Sequence, residues 1–283
     1  MNYSQGTAYS CQTIAAVGAI ANNALGLKVL QDTCKPLDEA FEVIFRKYPH
    51  IKIRVDSKEL TDWTDENLQE REQDFNERIK RIKAILPPEQ FHWILPRLRP
   101  PYVSGDRQVR VFELAYAKLM IKLHPSTYPK LVETEGSQVL SLYQDKNFHH
   151  DPAIVLNDIT NWPVKIIVAN GGNKPELSKS FSEENKIDHS VSIGILSELA
   201  AISINPEKYV AVASSVGEPG NSFVYLDPGS FIVPYHDFII SSVDANKKSI
   251  SIRDPFNSRI ELVLKYDDFL QYFNTVSIAT VSA

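Results

Sequence analysis

The chain has 283 residues, 43% of them hydrophobic and 23% charged, which is enough to bury a sizeable core. Its 30 basic and 35 acidic residues leave a formal net charge of -5, so nothing pulls it globally toward nucleic acid. It carries no apolar run long enough to cross a bilayer, and the polar opening MNYSQGTAYS is not a signal peptide.

Residues 11–21, CQTIAAVGAIA, are apolar on nearly every side and predict a buried helix whose small residues let neighbours come close. The stretch LKVLQD predicts a further short helical turn. In PLDEAFEVIFRKY, the residues Leu37, Ala40, Phe41, Ile44 and Phe45 form one stripe at helical spacing, which predicts an amphipathic helix. The charge-dense stretch 56–86 reads as a solvated surface, helical in its second half, and LPRLRPPYVSGD as a proline-rich loop. A helix is expected from about Val109, with Phe112, Ala115, Tyr116, Leu119 and Met120 turned inward.

Past residue 150 the texture changes. VKIIVA, YVAVASS, SFVYLD, HDFIISSV, KSISIRD and IELVLK are short β-branched or aromatic runs between turn-formers, the pattern of strands. The last stretch, YDDFLQYFNTVSIA, reads as a helix followed by an edge strand. The expected class is therefore α+β, with a mainly helical part over 1–160 and a β-rich part over 161–283.

Two cysteines in so long a chain make neither a disulfide framework nor a zinc site. A helix of about 11 residues between Cys11 and Cys34 would hold them about 16 Å apart, beyond disulfide reach. Both read as free thiols, which suits a reducing compartment, and Cys34 reads as structural. Cys11 is either a small hydrophobe opening a buried helix or a nucleophile. In the second case the positive end of the helix dipole lowers its pKa.

Among the seven histidines, His236 stands apart, because it opens HDFIISSVDANKKSISIRDPFN. Two strand-like runs flank DANKK, a hairpin signal. A turn centred on Ala245 puts His236 opposite Asp254. His236 then shares a face with Phe238 and Ile240, and Asp254 with Ile252 and Ile250. The other face takes Ile239, Ser241 and Val243. A histidine and a carboxylate that end one apolar face lose free energy unless they satisfy each other.

QGTAYSC ahead of a buried helix, with H-x-F-x-I and IRDPFN late in the chain, resembles the papain-like cysteine peptidases, and within them the calpain protease core. Asp254-Pro255-Phe256-Asn257 echoes the N-P-W-G phrase of that core, and FELAYAKLMIKLHPSTYPKL (112–131) resembles its central helix and following loop. The resemblance implies a papain-like two-lobed fold, with the Cys11 helix in a helical lobe and His236 and Asp254 on a β-rich lobe. It implies Cys11 as nucleophile, His236 as general base and later acid, Asp254 as the group that orients the imidazole, and Gln5 as an oxyanion donor beside the Cys11 backbone N–H. It further implies a protein substrate.

Several positions depart from the family pattern. Gln12 follows the cysteine where an aromatic is usual, Asp237 follows the histidine where a small residue is usual, and Asp254 replaces an asparagine. Tyr235 and HPSTYPK stand where the family has glycines that let substrate backbone pass closely. Their absence favours a narrower pocket for a side-chain amide. Peptide hydrolysis is the first expectation, glutamine deamidation or transamidation by a bacterial effector or toxin the second, and an inactive binding module the third. No cofactor or metal is expected. FHHDP (148–152) has ligand-type residues, but adjacent histidines beside one aspartate read as surface polarity, and the calcium loops of calpains have no match. The expected setting is cytoplasmic, or secreted without a conventional signal peptide as a translocated effector is.

Overall fold

The computed structural model describes residues 3–4, 10–60, 104–125, 151–168, 187–188, 195–215, 224–227, 230–232, 236–255 and 257–282. The charge-dense stretch beyond residue 60, Gln5 and the histidines of FHHDP lie outside them.

Residues Cys11–Ala21 form α1, buried from Cys11 to Ile20. Asn23 caps the next helix, α2 (Ala24–Thr33), by accepting from the Gly26 N–H at 3.0 Å. The chain then departs from the expected helix. Cys34–Pro36 (β2), Ala40–Val43 (β3) and Ile53–Asp56 (β4) build a three-stranded antiparallel sheet with β3 in the centre. A short helix holds little stability of its own. Two neighbouring strands offer the same residues a full backbone ladder while still burying Ala40, Val43 and Phe45.

The central helix runs over Arg107–Leu123 (α3), started by the Asp106 side chain, which accepts from the Gln108 N–H at 2.9 Å. It buries Phe112, Ala115, Tyr116, Leu119 and Met120 as expected, and Arg110 and Glu113 with them. Just before α3, Ser104–Gly105 (β5) pairs with Tyr3–Ser4 (β1). A helix the sequence reading passed over, Pro152–Thr160 (α4), is buried along its whole length. Its start was legible, since Asp151 caps it and Pro152 takes the first-turn position where a missing N–H costs nothing.

The strands expected after residue 160 form. Val164–Val168 (β6), Ile187–Asp188 (β7), Tyr209–Ser215 (β8), Asp237–Asp244 (β11), Ser249–Asp254 (β12), Asn257–Lys265 (β13) and Phe273–Thr280 (β14) make one sheet in the order β13-β12-β11-β8-β14-β6-β7. All neighbours are antiparallel except β6 and β7. Val224–Asp227 (β9) and Ser230–Ile232 (β10) pair separately. The last strand is not at an edge: β14 lies between β8 and β6. Its Val276–Ala279 run is buried on both faces, as an interior strand requires.

Helices cover both faces of this sheet. On one side α1 and α4 pack on Val164, Ile166, Val210, Val212 and Ile239, and α3 packs behind them against α1. On the other, Ile195–Ile204 (α5) and Tyr266–Tyr272 (α6) bring Leu199, Ile202 and Phe269 against Phe238, Ile240, Ile250 and Ile252. The architecture is mixed helix and sheet, consistent with the α+β class. Among the described residues no single helix is long and apolar enough to cross a membrane; α1 and α2 meet that test only as a pair bent by 117°.

Candidate active site

Ser10 occupies the N-cap of α1, yet its hydroxyl does not cap the helix. It donates instead to Glu113 Oε1 at 2.7 Å, and Arg110 Nη1 donates to Glu113 Oε2 at 2.7 Å. All three are buried. The first turn of α1 is thereby tied to α3 at one side while the helix packs along β11 and β8 at the other. This fixes where Cys11 emerges, beside the start of β11.

Two acceptors lie within reach of the Cys11 thiol: Asp237 Oδ2 at 3.6 Å and Gln12 Oε1 at 3.4 Å. The helix-end argument predicts a lowered thiol pKa, and the structure reverses it. Burial pushes the Cys11 thiol well above its ordinary value, and the nearby Asp237 charge adds to the rise. The backbone N–H groups of Asp237 and Gln12 pull the other way, and burial wins. Both cysteines are free and buried; burial pushes Cys34 up to about 11.

Asp237 is itself buried, and Ser214 Oγ donates to its Oδ1 at 2.6 Å. Burial pushes its carboxyl up to about 6, although the Ser214 hydrogen bond and the charge of His236 act to lower it.

His236 sits one residue earlier. Its backbone N–H donates to Ser215 Oγ at 2.9 Å, and the Ser215 N–H donates to the His236 carbonyl at 2.9 Å. The ring packs edge-on against Phe238 at 5.1 Å. Its Nε2 lies 3.0 Å from Asp254 Oδ1, with the imidazole 5% and the carboxylate 13% exposed.

The expected contact is present, but by a different register. The turn spans residues 245–248 rather than centring on Ala245. Val243 faces Ile250, and beyond an irregularity between Ile240 and Ser242 the strands continue with Ile240 facing Ile252. That extra residue moves Val243 to the face of Ile240 and Phe238, away from Ile239. On this register Asp254 comes level with Phe238, so His236 meets it as a diagonal neighbour on the same face.

No family model matches the chain, and no curated protein does.

The structure brings His236 and Asp254 together, and it brings Cys11 to the residue next to His236. Among the described residues the thiol's own hydrogen bonds run to Asp237 and Gln12, not to His236. Sequence reasoning did not assign Asp237, Gln12, Ser214 or Glu113 to this site. The available signal was the carboxyl directly after the histidine, read there only as a departure from pattern. Among the described residues, no group of three or more His, Cys, Asp or Glu is placed to hold a metal ion.

Proposed function

We propose that the chain is a thiol-dependent amide hydrolase in which Cys11 is the nucleophile, His236 the general base and acid, and Asp254 the group that orients the imidazole. The observation that supports this most is the largely buried His236–Asp254 pair at 3.0 Å, one residue along the chain from the Asp237 that lies against the Cys11 thiol. A carboxylate that accepts from one ring nitrogen fixes the ring and leaves the other nitrogen to exchange a proton with a nucleophile.

In this reading the thiol proton passes to the imidazole and the sulfur attacks the amide carbonyl carbon. The imidazolium then returns the proton to the leaving nitrogen as the C–N bond breaks. Water hydrolyses the resulting thioester with the ring again acting as base. The Gln5 side chain and the Cys11 backbone N–H would meet the developing oxyanion, a type of contact worth about 2.7–4 kcal/mol per donor. The resting thiol hydrogen-bonds to Gln12 and Asp237 on the α1 side of β11, whereas the His236 ring packs with Phe238 on the other, so the reading requires Sγ and the ring to meet around the start of β11 as substrate enters.

The papain-like two-lobed division belongs to the same proposal, with residues 1–160 as the helical lobe and 161–283 as the β-rich lobe. So do a protein substrate and, for a secreted form, delivery as an effector. Peptide cleavage is the first reaction. Glutamine deamidation or transamidation is the second, favoured by Tyr235 and by HPSTYPK in place of glycines. Incubating wild type and Cys11→Ala with a cell lysate and comparing peptides by mass spectrometry tests the proposal. New termini that require Cys11 mean proteolysis, and glutamine-to-glutamate mass changes that require it mean deamidation. Lysates treated with the two proteins that cannot be told apart would count against both.

A further inference from the structure

The groups that receive the thiol are neither His236 nor Asp254. They are the neutral Gln12 Oε1 at 3.4 Å and one charged group, Asp237, whose Oδ2 lies 3.6 Å from Cys11 Sγ and whose Oδ1 is held by Ser214 Oγ at 2.6 Å. Pairing of Asp237 with Ser214 between β11 and β8 sets the carboxylate's place from the backbone up. Alternation along β11 turns Asp237 to the same side as Ile239, the side on which α1 packs.

We infer that Asp237 is a positioning residue that keeps Cys11 protonated at rest, and that the nucleophile is freed when the hydrogen bond from Sγ to Oδ2 is broken. This rests on the reading of Cys11 as the nucleophile. The physical reason is electrostatic. An S–H that donates to a carboxylate is stabilised as a thiol, and a thiolate beside the same carboxylate would place two negative charges in one buried site. Burial raises the affinity of both groups for a proton, as the upward displacement of both shows. The titratable groups that face Asp237 are Cys11 on α1, His236 beside it in the chain and Asp151 at the cap of α4. Of these, His236 favours the charged carboxylate, whereas Asp151 opposes it.

The consequence is a nucleophile that stays unreactive until something separates it from Asp237. A substrate entering between Sγ and Oδ2 would do so, leaving the proton to the imidazole. A buried, protonated thiol is also protected from oxidation and from adventitious electrophiles, because the thiolate is the reactive form.

The test is the pH at which iodoacetamide labels Cys11 at half its maximal rate, read by peptide mass spectrometry in wild type, Asp237→Asn and Asp237→Ser. Both variants remove the charge, and two are used so that a folding failure in one leaves the other informative. The half-labelling pH is expected to fall in both. A unit charge at 3.6 Å sets an upper limit of about 3 pH units at an effective dielectric near 20. An unchanged value would overturn the inference, and a higher one would make Asp237 an activating base instead. His236→Ala, measured alongside, separates this from the hydrolase reading: it should raise the half-labelling pH whatever Asp237 does, and its failure to do so would count against His236 as base while leaving the Asp237 result standing.

Discussion

Replacing Asp237 by asparagine should change how stability depends on pH, and the size follows from the site. Burial lifts the Asp237 carboxyl from its ordinary 3.8 to about 6. A group whose folded-state pKa is raised contributes stability that is fully present below its unfolded value and is lost as pH rises through the folded one. At 1.36 kcal/mol per pH unit the whole displacement is worth about 3 kcal/mol, and since the unfolded carboxyl is already more than half ionised at pH 4, wild type should lose about 2 kcal/mol of it between pH 4 and pH 7 from this residue alone. Asparagine keeps an oxygen for Ser214 and removes the charge, so the variant should not show that loss. Urea unfolding at pH 4, 5, 6 and 7 measures it, with the slope on urea checked for constancy. The stability of Asp237→Asn relative to wild type should climb by about 2 kcal/mol across that range, whatever offset it starts from at pH 4. A difference that stays flat from pH 4 to pH 7 would refute the reasoning, since it would mean that the carboxylate is not desolvated by its surroundings.

Other substitutions test the frame around the site. A Cβ on Gly26 would sit 2.2 Å from the Ile20 carbonyl oxygen, so Gly26→Ala should part α1 from α2 and cost about 1–3 kcal/mol in thermal unfolding, outweighing its helix-propensity gain. Asp158 is buried and accepts from Lys47 Nζ at 2.8 Å and from the Tyr48 and Tyr116 hydroxyls at 3.1 Å each. Asp158→Ala takes the acceptor from all three donors and should cost about 3–5 kcal/mol, with Asp158→Asn milder, both read by urea unfolding. At the proposed site, Asp254→Asn keeps an acceptor for the His236 ring and Asp254→Ala does not. The alanine variant should therefore slow Cys11 labelling more, by roughly 10-fold or above for a lost charge-assisted hydrogen bond. Equal rates in the two would mean that Asp254 serves only the DPFN turn.

Elements whose packing is decided locally were legible. CQTIAAVGAIA has no polar face to show solvent, so its only place was inside, and the β-branched runs after residue 160 had no helical stripe to compete with their alternation. PLDEAFEVIFRKY was misread because its apolar spacing fits either period, and the deciding ladder to Cys34–Pro36 and Ile53–Asp56 is a tertiary fact. The placement of β14 inside the sheet was hidden for the same reason, since strand order depends on partners far along the chain. The His236–Asp254 contact was found with the wrong turn. An irregularity near Ser241 restored the shared face that the true turn position would have broken, and a bulge leaves little trace in sequence. The reversal of the Cys11 pKa was not legible, because a helix N-terminus shows in sequence whereas burial and a facing carboxylate do not.

The central claim is that Cys11 is an acyl-accepting nucleophile served by His236, and p-nitrophenyl acetate tests it without knowledge of the natural substrate. Acid-quenched samples would be digested and the acetyl group located by mass spectrometry, with Cys34 as the internal reference. The account predicts acetyl on the Cys11 peptide that forms and turns over in wild type, faster still in Asp237→Asn, and falls to the level of Cys34 in His236→Ala. Acetylation of Cys11 no faster than that of Cys34 in every one of these proteins would contradict it.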